Sequence, residues 1–331
     1  KEWKALFRQQ GGWNVFLSWQ WFSQWWSCFG GDKEPCILAM WDHDRLVGLA
    51  PMMVETDEVG RRRLALIGSD RTTDYADILV DPRFLDPMCR LLAEFVVEGF
   101  GRWAYARFES LDATSPLLGP FLEAARRRGA AASARPVNIC PRIALAADWD
   151  GYLAGLDKTH RHELRRKIRR SRAVGHQEVL LLDGRDEIAA SMDSFLRLHR
   201  ASSPAKAAFQ DDAMRRFFAG MAGAFAEEGW VRLSLMRIDG RDVAASLSFT
   251  PGDRVLLYNS GLDPEYRAHS VGIALHAAEI RHAIEQGNAW YDFLRGTEPY
   301  KYDLGGRDHP VFRLTLLPGG SDPGEFDDDR G

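Results

Sequence analysis

The chain has 331 residues, 45% of them hydrophobic, and a formal net charge of -4. That length and apolar content support two units with a core each, and the acidic balance excludes a protein-wide attraction to polyanions, so any nucleic-acid contact needs a local basic patch. Four cysteines (Cys28, Cys36, Cys89, Cys140) form no C-x-x-C pair and the nine histidines no H-x-x-x-H site, which argues for reduced structural thiols and against a metal enzyme.

In chain order, Ser18 is placed to cap a helix whose apolar positions Phe22, Trp25, Trp26 and Phe29 keep helical spacing, with Gly30-Gly31 as its stop. "CILAMWDHDRLVGLAPMMVE" predicts strand, Asp-rich turn, strand, and "RRRLALIG" and "YADILV" predict two further strands. Asp81-Pro82 turns the chain into a helix through Val97, "WAYARFE" is again a strand, and "SPLLGPFLEAARRRG" predicts a helix capped by Ser115 and stopped by Gly129. The second half repeats the plan: "WVRLSLMRIDGRDVAASLSFT" is strand, Asp-Gly turn, strand, and "RVLLYNSGL" a third strand. A helix from about Val271 to Gln286, stopped by Gly287, and the strand "AWYDFL" follow. The pattern predicts an α/β (α+β) fold of two tandem units, each a mixed, mostly antiparallel sheet flanked by helices, over 1–148 and 149–317. The acidic, Gly- and Pro-rich tail 318–331 has too little apolar surface to fold, and disorder is expected there. No apolar run approaches the ~20 residues that span a bilayer, so a soluble, cytoplasmic protein is expected.

Two segments carry charge in a pattern. "LDKTHRHELRRKIRRSRAVG", Leu156 to Gly175, is a helix with a narrow apolar stripe, Leu156, Leu164 and Ile168, and a basic remainder that meets only Glu163. Two readings stand: a solvated helix in an acidic protein, or a phosphate-binding face on which the row Arg161, Arg165, Arg169 forks onto phosphate oxygens. In "YNSGLDPEYRAHSVGIALHAAEI" a strand ends at Asn259-Ser260-Gly261, a loop carries Arg267, Ser270 and Gly272, and a helix begins. Unpaired N–H groups at a helix N-terminus suit a pyrophosphate, although the same stretch also reads as an ordinary strand-to-helix connection.

Arg267 to Gly272, "RAHSVG", resembles the pyrophosphate loop of the GNAT superfamily of N-acetyltransferases, with Ser270 where the first glycine of that loop stands. "YDFLRGTEPYKYDLG", one helix later, is similar to the CelD/BcsL group of acetyltransferase-like proteins, as are the Trp-rich helix, "RLVGLAPMM", "DYADILVDP" and the basic helix. The resemblance covers about Trp13 to Leu316. It implies two tandem GNAT-like units, as in the related FemABX aminoacyltransferases, and acetyl-CoA or another acyl-CoA as co-substrate. It also implies a role near the acyl donor for Lys301.

Acyl transfer to an amine needs a deprotonated nucleophile, donors for the developing oxyanion and a proton for the leaving group. The candidates are the backbone at Asn259 to Gly261 with Lys301 for the carbonyl, Tyr300 or Tyr302 for the leaving thiolate, and Asp292 and Glu298 as bases or amine ligands. Arg295 is a substrate ligand or a partner that neutralises Asp292. In the first unit, Asp74 and Tyr75 of "GSDRTTDYADILVDP" are either ligands for sugar hydroxyls or part of a hairpin-closing turn. The leading expectation is an acyl-CoA-dependent N-acyltransferase acting on an amino sugar or nucleotide sugar for bacterial polysaccharide or cell-envelope synthesis. Two alternatives are an aminoacyl-tRNA-dependent transferase, with the basic helix on the tRNA, and a non-catalytic subunit of a polysaccharide assembly complex. The oligomeric state is not readable from the sequence.

Overall fold

The structure, a computed structural model, describes residues 1–68 and 71–321. It divides into two units, Lys1–Ile139 together with the chain from Pro310 onward, and Cys140–His309. The expected tail, 318–331, lies from residue 322 outside the described residues.

The first unit opens with helices α1 (Glu2–Gln9) and α2 (Trp19–Phe29). Ser18 caps α2 as expected, its hydroxyl accepting from the Trp21 N–H. Strands β1 (Glu34–Asp42), β2 (Arg45–Thr56), β3 (Arg62–Leu66), β4 (Leu79–Val80), β5 (Tyr105–Asp112) and β6 (Ala131–Ile139) follow, with helices α3 (Leu85–Glu98) and α4 (Pro120–Arg127) among them. The helix expected from Ser115 to Gly129 is broken. Ser115 caps a 3₁₀ turn, Pro116–Leu118, and α4 starts afresh at Pro120, because proline disfavours helical backbone in the residue before it.

The second unit holds strands β7 (Arg142–Ala144), β8 (Gln177–Leu182), β9 (Val231–Ile238), β10 (Arg241–Phe249), β11 (Arg254–Leu262) and β12 (Trp290–Asp292). Its helices are α5 (Trp149–Gly155), α6 (Lys158–Arg172), α7 (Arg185–Ala201), α8 (Pro204–Phe209), α9 (Asp212–Ala226), α10 (Val271–Glu285) and α11 (Pro299–Asp303). The last strand, β13 (Pro310–Leu317), lies between β5 and β6 of the first sheet, which corrects the expected 149–317 boundary. A strand's sheet is chosen by its long-range ladder, and its local pattern carries no record of that choice.

The two sheets run β1-β2-β3-β5-β13-β6, with β4 on β2, and β7-β12-β11-β10-β9-β8. Each is antiparallel except at one step: β3 beside β5 and β11 beside β12 are parallel. Each parallel step is made through a long helix, α3 or α10, as a parallel connection requires. The expected repeat is therefore present as a strand-helix-strand crossover ending each run of antiparallel strands. Among the described residues no helix is long and apolar enough to cross a membrane.

Helix α7 sets the position of β11. A Cβ on Gly261 would stand 2.3 Å from the His199 backbone nitrogen and 2.4 Å from the Leu198 carbonyl carbon. Strand and helix backbones meet there, so the glycine is required by packing. His199 is fully buried beside Phe195 and Phe218, and its Nε2 shares a 3.1 Å hydrogen bond with Asn259 Oδ1. Burial, and then the nearby Lys206 charge, push its pKa down to about 4.

Gly261→Ala is expected to lower stability by about 1–3 kcal/mol, the range for overpacking, and a shift of the urea midpoint at constant m-value checks it. His199 takes a proton in the unfolded chain near its ordinary 6.5 but in the fold only near 4, so its contribution is complete above pH 6.5 and is lost as pH falls through that window. At ~1.4 kcal/mol per pH unit the loss is about 3 kcal/mol. Comparing urea unfolding of the wild type and His199→Gln between pH 7 and 4 isolates it, since the variant should lack that part of the slope.

Candidate functional site

The parallel ladder between β11 and β12 is short. It pairs Arg254 to Leu256 with Trp290 to Asp292 and then ends, so among the described residues no strand covers that edge of β11 beyond Leu256. The register with β10 shifts at the same place, from Leu257 opposite Ser248 to Asn259 opposite Leu247, which leaves Tyr258 as an extra, bulged residue. The Asp263 N–H donates to the Val243 carbonyl at 2.8 Å, so by alternation Gly261 and Asn259 bond β10 and Ser260 does not, and the Ser260 carbonyl accepts from Lys206 Nζ at 2.5 Å. In an antiparallel pair a residue's N–H and C=O point to the same side, so the Ser260 N–H also faces away from β10.

That edge borders a cleft of about 520 Å³, whose other wall is the start of α10. Ser270 sits there in the left-handed region at φ 61°, a conformation glycine takes at least cost. No side chain caps the first turn of α10, so its N–H groups and the positive end of the helix dipole are left to the cleft. Arg267, which donates to the Ser202 carbonyl at 2.6 Å, and Lys206 add two cations to the same wall. Burial first of all, with Lys301 and Arg267 adding to it, holds the Lys206 pKa below its ordinary value, and the Glu298 carboxylate opposes this. Unpaired N–H groups, cations and a Gly272 whose Cβ would come within 3.2 Å of Leu262 suit a pyrophosphate-bearing acyl donor.

One helical turn further on, His276 lines the cleft. Its Nδ1 lies 2.9 Å from Glu279 Oε2, and its ring stacks on Tyr300 at 5.4 Å between centroids. Glu279 is buried and also accepts from Ser246 Oγ at 2.5 Å and from the Tyr291 hydroxyl at 3.1 Å. Burial alone would raise its pKa. Hydrogen bonds from His276, Ser246 and Ser234 outweigh burial and hold the carboxyl below its usual range, so it stays ionised. A carboxylate fixing one imidazole nitrogen leaves the other, Nε2, able to accept a proton.

The structure gathers Ser260, Gly261, Arg267, Ser270, Gly272, Glu298 and Tyr300 around this cleft. Burial pushes the Tyr300 pKa up, and its side-chain hydrogen bond with Ser260 opposes that, so the phenol remains a donor. Asn259 is held by His199 and does not line the cleft.

Lys301 departs from its expected place. It is buried, and its ammonium donates to the Leu294, Arg295 and Gly296 carbonyls at 3.1, 2.9 and 3.1 Å and pairs with Glu298 at 3.0 Å. Three protons meet four acceptors, so the cation is spent on closing a turn in which Leu294 has φ 54° and Gly296 φ 116°. Asp292 closes the same turn from the other end, accepting the Leu294 N–H at 2.7 Å, and the Arg295 backbone belongs to it. Tyr302 donates to Asp308 at 2.8 Å.

Three further residues differ from expectation. Asp74 and Tyr75 are buried in the first unit, where Tyr75 packs against Trp13 and Phe16. Arg161 donates to the Leu153 and Ala154 carbonyls at 3.3 Å each, ending α5, which removes it from the expected arginine row. The residues not expected are His276, Glu279, Lys206 and Ser202. Only the i, i+3 spacing of His276 and Glu279 in the apolar first part of α10, ahead of Arg281, signals the pair in the sequence. Among the described residues no group of three or more His, Cys, Asp or Glu could hold a metal ion.

Residues 158–302, all within the second unit, match the profile described as an acetyltransferase (GNAT) domain. No curated protein matches the chain. Among solved structures, that of FemX shares the fold with a TM-score of 0.64 at 11% identity, over 91% of this chain and 92% of that one. L-PGS from Bacillus licheniformis shares it with a TM-score of 0.58 at 10% identity, over 95% and 90%. A conserved protein from Bacteroides thetaiotaomicron shares it at 0.60 and 11%, over 92% and 91%. Residues 158–302 of the second unit therefore match a GNAT-type acetyltransferase domain, and the chain has a fold similar to that of FemX.

Proposed function

We propose that the protein is an acyl-CoA-dependent N-acyltransferase whose acceptor is the amine of an amino sugar or nucleotide sugar, serving bacterial polysaccharide or cell-envelope synthesis. The observation that carries the acyl-transfer reading is that the open edge of β11, the uncapped start of α10 and the His276–Glu279 pair all face one cleft. The acceptor and the pathway rest on the CelD/BcsL resemblance.

An acyl-CoA supplies a thioester carbonyl that an amine can attack, with C–N forming as C–S breaks. The residues of the chain do the rest. His276 Nε2 takes the proton from the attacking amine, and the ionised Glu279 stabilises the imidazolium that results. The Ser260 N–H is the donor for charge developing on the carbonyl oxygen, and the Tyr300 phenol is the proton source for the departing thiolate. Arg267, Lys206 and the first turn of α10 hold the donor's phosphates. Lys301 acts through the turn: it fixes Glu298 and Tyr300 at the cleft wall and is a positioning residue.

Calorimetry with acetyl-CoA tests the donor, with 1:1 binding expected and about 10-fold weaker binding for Arg267→Ala. A folded protein that binds no acyl-CoA would sink the reading. His276→Gln should lower kcat/KM by roughly 10²–10⁴ while donor binding is kept. Lys301→Met should read differently. Three buried carbonyls and a carboxylate lose their partner, so it should lower stability by about 3–5 kcal/mol, seen as a drop in Tm.

A further inference from the structure

The arginine row on α6 leads elsewhere than to the cleft. Arg165, Arg169 and Arg172 line a second groove of about 370 Å³ on the same unit, and Arg281 reaches into it from α10. The lining of this groove shares no residue with that of the cleft. The carboxylates near α6 are engaged by other cations: Glu163 with Arg166 and Lys167, Asp303 with Lys167, Asp157 with His160. Among the described residues Arg165, Arg169 and Arg172 have neither a hydrogen bond nor an ion pair, and Arg281 meets only the exposed Glu285.

The helix dipole explains part of this, because cations in a last turn meet its negative end. Arg169 and Arg172 are in that turn, but Arg165 lies a full turn earlier and Arg281 is on another helix. Three guanidiniums spanning about 10 Å along α6 and a fourth facing them enclose one volume and are not spread over a surface. The groove floor is made by the short side chains Ala274, Ala277 and Ala278, which admit a ligand between the two helices, and half-buried Trp149 lends an aromatic face. The volume falls in the range of small-molecule pockets.

We infer that this groove is a second ligand site, which takes a nucleoside diphosphate: its phosphates meet the arginines of α6 and α10, and its base packs against Trp149. Forked guanidiniums match phosphate oxygens in pairs, and an indole is a stacking surface for a base. A nucleic-acid strand would need the cations to run on along an open surface, whereas here they converge on one concavity. The inference does not depend on the acyl-transfer reading, since none of its residues lines the cleft.

The test is calorimetry with UDP on the full chain, carried out with and without saturating acetyl-CoA so that the cleft is filled in one arm. Expected is 1:1 binding that survives acetyl-CoA, weakens about 10-fold or more in Arg169→Ala/Arg172→Ala, and is unchanged in Arg267→Ala. The two substituted arginines are exposed, so the double variant should keep the wild-type Tm. UDP binding that the double variant leaves intact, that acetyl-CoA displaces, or that is not detected overturns the inference. So does binding only of a single-stranded RNA oligomer, with affinity falling steeply as salt rises.

Discussion

Everything at the cleft depends on where the β11–β12 ladder stops. Parallel strands that stayed paired would bury the β11 edge from Leu256 to Leu262 against a neighbour, and no backbone donor would face a ligand. Instead the pairing ends at Leu256 opposite Asp292, and the Tyr258 bulge re-aims the strand at the same level. An open edge is normally a liability, because it invites another strand. Here Lys206 of α8 occupies the edge at the Ser260 carbonyl, while α7 packs on the face of the strand at Gly261.

The second constraint is the buried Glu279. An ionised carboxylate inside a protein is tolerated only when its oxygens are filled, and here Ser246, Tyr291 and His276 fill them from β10, β12 and α10. One side chain thus ties the two strands that flank β11 to the helix that carries the imidazole. The orientation of His276 toward the cleft is therefore a property of the sheet as well as of α10.

Sequence pattern carries the local parts of this fold well. The Ser18 cap, the polar turns between antiparallel strands and the strand-loop-helix from Tyr258 to Ile280 all depend on neighbours within a few residues, and they appear where expected. The features that pattern does not carry are those decided at a distance. The strand Pro310–Leu317 joins the first sheet by its ladder with β5 and β6, and Tyr75 is turned inward by Trp13 and Phe16. The polar pair His276 and Glu279 looks like a surface i, i+3 pair until its burial is seen.

The charged turn at Leu294–Gly296 shows how the same residues support two different accounts. A lysine among glycines and tyrosines reads as a cation offered to a substrate, yet three carbonyls and Glu298 already occupy Lys301. The backbone explains the arrangement: left-handed residues such as Leu294 cost about 1–2 kcal/mol, and a turn that holds them needs bonds that close it. Lys301 supplies those bonds from inside, where no water competes. The turn then places Glu298 and Tyr300 on the cleft wall, so the charge in this segment serves the site through geometry, and the proposed mechanism gives the proton instead to a histidine one helical turn beyond the uncapped end of α10.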